Sequence, residues 1–309
     1  MREFWKRGWQ ASKPLMFTGQ LMLLDLAVCL AGLALDPVVI TGQPAWLKPA
    51  KFALSTALYS FTLAWILSYI QRTPRLMQAM AWITSAVFVI EIVIIDVQAA
   101  RGVTSHFNVG AMLDRTLFSI MGVGIAIQWI CSIVVTFALF RTHFEDRSWG
   151  MALRLGMALT VLGSAVGGFM VTPTSAQLKQ AHETHHLPVS GSHTVGAPDG
   201  GPGLPGAGWS TEHGDLRFPH FLGMHGMQIL PLIAWLARRR RTTRTVQLAA
   251  ASYFGLLAIF TWQALRGQSV IGPDSMTILA LSLWAIASAG ALLAIAYRRP
   301  HMTLATGHQ

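Results

Sequence analysis

Chemistry in this chain would begin with its histidines and its few carboxylates. His220 and His225 are five residues apart at the head of an apolar run. On a regular helix that step is about 140°, so the two imidazoles would chelate one metal only if His220 sat in an irregular first turn. His225, about one turn into the run, is at a depth suited to an axial haem ligand or a buried metal ligand. Glu91 and Gln98 share a face of another apolar run, and an ionisable group inside such a run is costly, so it is functional or paired. Asp96, nearer the end of that run, and Asp25, alone in another, are weaker candidates. The string Arg101–Asn108 follows, and its Gly102 permits a turn that brings Ser105, His106 and Asn108 back toward Glu91. Each candidate also has a purely structural use: a salt bridge to Arg101 or Arg266 for Glu91, a capped turn for His106, an interhelical hydrogen bond for His225.

His182-Glu183-Thr184-His185-His186 matches the H-E-x-x-H pattern of zinc peptidases. That chemistry needs His182 and His186 on one helical face, Glu183 as general base and a further ligand. A short motif in a His-rich stretch arises readily by chance.

The elements that hold these residues follow from composition. Of 309 residues, 53% are hydrophobic and 12% charged, about half the charged share of a soluble domain. Mean hydropathy is +0.48. A soluble enzyme of ordinary composition and a disordered chain are both excluded. Eight stretches approach the roughly 20 apolar residues a bilayer requires: 16–35, 52–70, 77–98, 116–140, 151–172, 220–237, 246–265 and 275–297. The fold expected is therefore all-α and membrane-embedded, with eight transmembrane helices. The basic segment 1–14 precedes an apolar run too long for a signal peptide, so the first helix is expected to be retained. Cys29 and Cys131 lie in apolar runs and read as core residues.

With the N-terminus in the cytoplasm, 16 of the 23 basic residues fall on the inner side, with only Glu3, Glu145 and Asp146 among the acids. This satisfies the positive-inside rule and places both termini in the cytoplasm of a bacterial inner membrane. The net charge of +10 is thus a topology signal. Anionic inner-leaflet lipid is the partner expected for Arg238–Arg241; nucleic acid is not. Eight histidines sort to the outer side: His106, His182, His185, His186, His193, His213, His220 and His225.

Two outer helix ends are alike. Gln98-Ala99-Ala100-Arg101-Gly102 recurs as Gln263-Ala264-Leu265-Arg266-Gly267, an offset of 165 residues. Leu47-Lys48-Pro49-Ala50-Lys51-Phe52 recurs as Leu216-Arg217-Phe218-Pro219-His220-Phe221, an offset of 169. A tandem 4+4 repeat follows, with units 1–150 and 151–309 related by a pseudo-two-fold axis along the membrane normal. The loop 173–219 is too long to be idle. It holds His193, Asp199, Trp209, Asp215 and Arg217 around a Gly/Pro-rich middle, and reads as a lid over the outer mouth. Gly163-x-x-x-Gly167 suggests close helix packing.

The strings Trp46–Phe52, Arg101–Asn108 and Asp199–His225 resemble those of an uncharacterised bacterial family of multi-pass membrane proteins, which implies topology and no activity. The eight-helix plan is also similar to that of haem A synthase. The Glu-x-x-His motif and paired haem histidines of that family have no counterpart here, so the likeness is architectural.

These readings converge on an outward-facing site. Glu91, Arg101, Arg266 and Asp215 are its candidate catalytic residues, His106 and His225 its cofactor ligands, and His193, His220 and His225 its metal ligands. The leading function is a haem- or metal-dependent membrane oxidoreductase, with a quinone or other small molecule as ligand. The alternatives are a transporter or binding protein for an anionic metabolite, drawing on Lys48, Lys51, Arg101, Arg217 and Arg266, the zinc metallopeptidase, and a non-catalytic accessory protein.

Overall fold

A computed structural model describes residues 2–239 and 242–297. Arg240, Arg241, Arg298 and Arg299, four of the bases assigned to the inner side, lie outside the described residues. The described residues are mainly helical, with two small antiparallel strand pairs among them. A short helix α1 (Arg2–Ala11) leads into α2 (Lys13–Leu35), whose start is capped by the Ser12 hydroxyl and carries Pro14 in its first turn. Then come α3 (Leu47–Leu67), α4 (Pro74–Ala100), α5 (Met112–Arg141) and α6 (Arg147–Met170). The second half continues with α7 (Ser175–Thr184), α8 (Arg217–Met224), α9 (Gly226–Leu236), α10 (Thr243–Leu265) and α11 (Ser275–Tyr297). Hairpin β1–β2 (Val39–Ile40, Gln43–Pro44) precedes α3, and hairpin β3–β4 (Thr194–Val195, Gly214–Asp215) precedes α8.

Seven helical segments of the described residues are long and apolar enough to cross a membrane: those built on α2, α3, α4, α5, α6, α10 and α11. Their outward faces carry Leu24, Trp82, Val123 and Ile286, each more than 60% exposed. A surface of that kind suits lipid and would aggregate in water.

The run 220–237 departs from expectation. It is not one continuous helix but α8 and α9, separated at His225. The cause lies in α6. A Cβ built on Gly163 would stand 2.3 Å from the Gly223 Cα, and one on Gly156 would stand 2.8 Å from the Gly226 carbonyl oxygen. The backbones touch, as small residues permit. Between these contacts the Thr160 hydroxyl donates to the Met224 carbonyl and accepts from the Met227 N–H. One side chain thus satisfies backbone groups that the break would leave orphaned. The partner of Gly163 is Gly223 across the helix pair, while Gly167 faces the His220 ring.

The bundle has two unlike ends. At one, Phe4 and Trp5 of α1 pack on Trp65 and Phe61, Trp65 meets Trp149, and Tyr69 meets Phe144. The other end gathers both hairpins, the turns after α4 and α10, and the segment 188–216.

Those two turns share their geometry. Gly102 and Gly267 both have left-handed φ, +70° and +73°, which glycine adopts without a Cβ penalty. In each, a glutamine side chain reaches six residues on: Gln98 to the Thr104 carbonyl and Gln263 to the Ser269 carbonyl. In each, the arginine pairs with an aspartate at the start of the next helix: Arg101 with Asp114 at 2.6 Å, and Arg266 with Asp274.

Candidate functional site: a roofed cavity between helices

A cavity of about 1530 Å³ opens among α3, α4, α5, α6 and α8, beneath the 188–216 segment. That segment is pinned by backbone bonds from Ser190 to Phe107, Ser192 to Met170 and Leu216 to His193. Two bases at helix starts hold its far side. Lys51 donates to the Ala207 carbonyl at 2.9 Å and Arg217 to the Gly208 carbonyl at 2.6 Å. The roof proper is 188–216; α7 carries no buried residue and is tied to it through Gln177, which donates to the Gly191 carbonyl and accepts from the Gly191 N–H.

His193 and Asp199 organise the roof. The Asp199 carboxylate accepts from the Ser192 hydroxyl, from the His193 and Thr194 N–H groups, and from His193 Nδ1 at 2.7 Å. Burial opposes its charge, but the His193 ring and the two backbone donors outweigh that and hold the carboxyl well below its usual range. Burial lowers the His193 pKa, partly offset by the Asp199 bond, so the ring is neutral near pH 7 with its proton on Nδ1. His106, deeper in, is held well below its ordinary value by burial and then by the positive charge of Lys48.

Below the roof, Glu91 is 5% exposed and its Oε1 stands 3.6 Å from His106 Nε2. Its other oxygen, Oε2, is buried with no hydrogen-bond partner. His220 donates from Nδ1 to the Gly163 carbonyl at 2.8 Å, leaving Nε2 bare. His225, at the helix break, meets the Phe221 ring edge-on with ring centroids 4.3 Å apart, and its Nε2 is buried without a partner among the described residues. Deeper still the wall is apolar, with Leu54, Leu58, Met121 and Trp129, interrupted by Tyr59 and Gln128. The Tyr59 hydroxyl, Gln128 and Ser132 hydrogen-bond to one another within 3.0 Å.

Of the eight candidate catalytic, cofactor and metal residues of the outward-facing site, five line this cavity: Glu91, His106, His193, His220 and His225. Arg101, Arg266 and Asp215 do not. Arg101 and Arg266 are exposed and turned onto Asp114 and Asp274. Asp215 is buried, bonded to Arg217 at 2.5 Å and to the Ser210 N–H at 2.7 Å, so it positions a cavity base. The bases that do line the cavity are Lys48, Lys51 and Arg217.

The metal sets expected from sequence do not assemble. Zinc bonds of about 2.0–2.1 Å to imidazole require ligand atoms within a few ångströms of one another. Among the described residues, the group of three His, Cys, Asp or Glu ligand atoms within 4.8 Å of one another is Asp25, Cys29 and Asp96, none of which lines the cavity. His193, His220 and His225 form no such group. The peptidase motif is broken by its own helix end. α7 stops at Thr184 and His185 takes a left-handed φ of +52°, which carries His186 off the face of His182. Glu183 lies beside Lys179 at 3.9 Å.

Sequence reasoning missed the Tyr59–Gln128–Ser132 network and Thr160. Their signal was available, since polar residues deep in apolar runs need partners. No family model, curated protein or solved structure matches this chain.

Proposed function

We propose that the chain is a multi-pass protein of a bacterial cytoplasmic membrane that binds an amphiphilic ligand, with the polar head under the 188–216 roof and the apolar part along α3 and α5. The observation that carries this reading is that one cavity joins two environments. Lys48, Lys51, Glu91 and His106 line one part. Leu54, Leu58 and Val123 line another; they are 56%, 42% and 62% exposed and sit on α3 and α5, two helices long and apolar enough to cross a membrane. Exposed apolar cavity residues on such helices suit a lateral mouth, through which a molecule dissolved in the bilayer would enter.

The topology supports this placement. α8 and α9 together form a broken eighth crossing, of the kind tolerated where irregular backbone lines a cavity. The matching turns after α4 and α10, and the hairpins before α3 and α8, support the tandem 4+4 repeat. The positive-inside rule puts α1 and both termini in the cytoplasm, with the inner bases against anionic lipid, and the roof outside.

Trp129 lines the apolar part, so an amphiphile with a brominated chain should quench its fluorescence saturably, and Trp129→Phe should remove that component. Quenching that rises linearly with ligand, as from bulk detergent, would end this reading.

A haem- or metal-dependent oxidoreductase is the second reading. It draws on His193 and His220, each anchored through Nδ1 with Nε2 left free, as metal-ligating imidazoles usually are. An optical spectrum and metal analysis of the same preparation separate the two. A Soret band or stoichiometric transition metal would favour redox chemistry, and neither is expected for the amphiphile site.

A further inference from the structure

The polar end of the cavity holds charges that the protein itself does not satisfy. Arg217 is paired with Asp215, and His193 with Asp199. Lys48 has no carboxylate within 4.0 Å among the described residues; Glu91 and Asp199 act on it from farther away, and its ammonium stands 5.7 Å from the Phe52 ring centroid. Lys51 donates to the Ala207 carbonyl and, among the described residues, forms no ion pair within 4.0 Å. Lys48 and Lys51, three apart on α3, share one face. Against them stands Glu91, more than nine-tenths buried, with Oε2 orphaned at the cavity wall. His106 Nε2, at 3.6 Å from Oε1, is too distant for a good hydrogen bond.

Two lysine side chains and one carboxyl group are therefore left facing the same space. A simple anion would satisfy the lysines and leave Glu91 orphaned. A quinone head offers Glu91 no cation and the lysines no charge. We infer that the ligand is a zwitterionic amphiphile of the phosphoethanolamine type, its phosphate held by Lys48 and Lys51 and its primary ammonium donated to Glu91. A primary ammonium brings both a positive charge and N–H donors to the buried carboxylate, whereas a trimethylated ammonium brings charge without donors. This assignment rests on the amphiphile reading above and names its head group.

The test measures Trp129 quenching by brominated-chain lysophospholipids with ethanolamine, choline or glycerol heads, and competition by glycerophosphoethanolamine, which has no chain. The wild-type protein is expected to bind the ethanolamine lipid roughly tenfold or more tighter than the choline lipid, the size of a hydrogen bond to a charged group. Glu91→Gln should abolish that preference while chain-dependent binding persists. Lys48→Met with Lys51→Met should weaken all three lipids alike, and this keeps the test decisive if the Glu91 variant does not fold. Equal affinity for ethanolamine and choline heads, or an unchanged preference in Glu91→Gln, overturns the head-group assignment. Failure of every lysophospholipid to bind overturns the amphiphile reading itself. Glycerophosphoethanolamine binding as tightly as the acylated lipid would keep the head group and overturn the amphiphile.

Discussion

The Thr160 hydroxyl stands 3.0 Å from the Met227 nitrogen and 3.0 Å from the Met224 carbonyl oxygen, bridging the gap between α8 and α9. A helix break packed against another helix needs such a partner, because its buried backbone groups have no water to bond. His225 occupies that break, so Thr160 also sets where its imidazole enters the cavity.

Thr160→Val keeps the shape of the side chain and removes the hydroxyl. It strands a donor and an acceptor, so a loss of about 1–3 kcal/mol for each orphaned group is expected. The check is thermal unfolding in detergent, together with hydrogen exchange at residues 224–228. Exchange there should rise while the Arg101 turn is unchanged. Unchanged protection at Met227 would show that the break is held by other contacts.

The roof should open in acid. His193 has a folded pKa below its ordinary 6.5, so the folded roof binds fewer protons than the open one as pH falls below that value. Its contribution is fully present above pH 6.5 and is lost as pH falls through the lower folded value. Asp199, also lowered, acts in the same direction but only below its ordinary 3.8, so the first loss belongs to His193 together with His106 beneath it, whose pKa is lowered as well. Limited proteolysis near Gly201 should accelerate between pH 6.5 and 5. Asp199→Asn, which removes the charge and turns the oxygen that accepts from His193 Nδ1 into an NH2 donor, should be cleaved readily already at pH 7. A cleavage rate independent of pH in the unmodified protein would remove His193 from this role.

Orientation is checked at the same loop. The 16-to-7 division of bases predicts that 188–216 faces outward. A cysteine at Gly201, in a protein with Cys29 and Cys131 replaced, should react with an impermeant thiol reagent in intact cells. Labelling only after lysis would invert the topology.

The amino-acid pattern was most informative where physics acts along the chain. Each crossing helix needs its own stretch of apolar residues, so α2 to α6, α10 and α11 could be read one by one. The left-handed turns at Gly102 and Gly267 are local too, and their paired Gln and Arg residues announced a shared structure before any coordinates. Glu91 and His225 stood out because polar groups in apolar runs need a reason.

What folding in space decided concerns groups whose partners are distant in sequence or differ in direction from their neighbours. Arg101 and Arg266 looked like site residues by position, yet Asp114 and Asp274 capture them at the rim. No spacing rule distinguished them from Lys48 and Lys51, which reach the cavity. The 220–237 run had the composition of a single span. It breaks because α6 presents Gly156, Thr160 and Gly163 to it, 60 or more residues away in the chain. Hydropathy is a property of each residue and survives in the sequence, whereas the satisfaction of a buried charge or a broken backbone depends on which atoms the packed helices bring within about 3 Å.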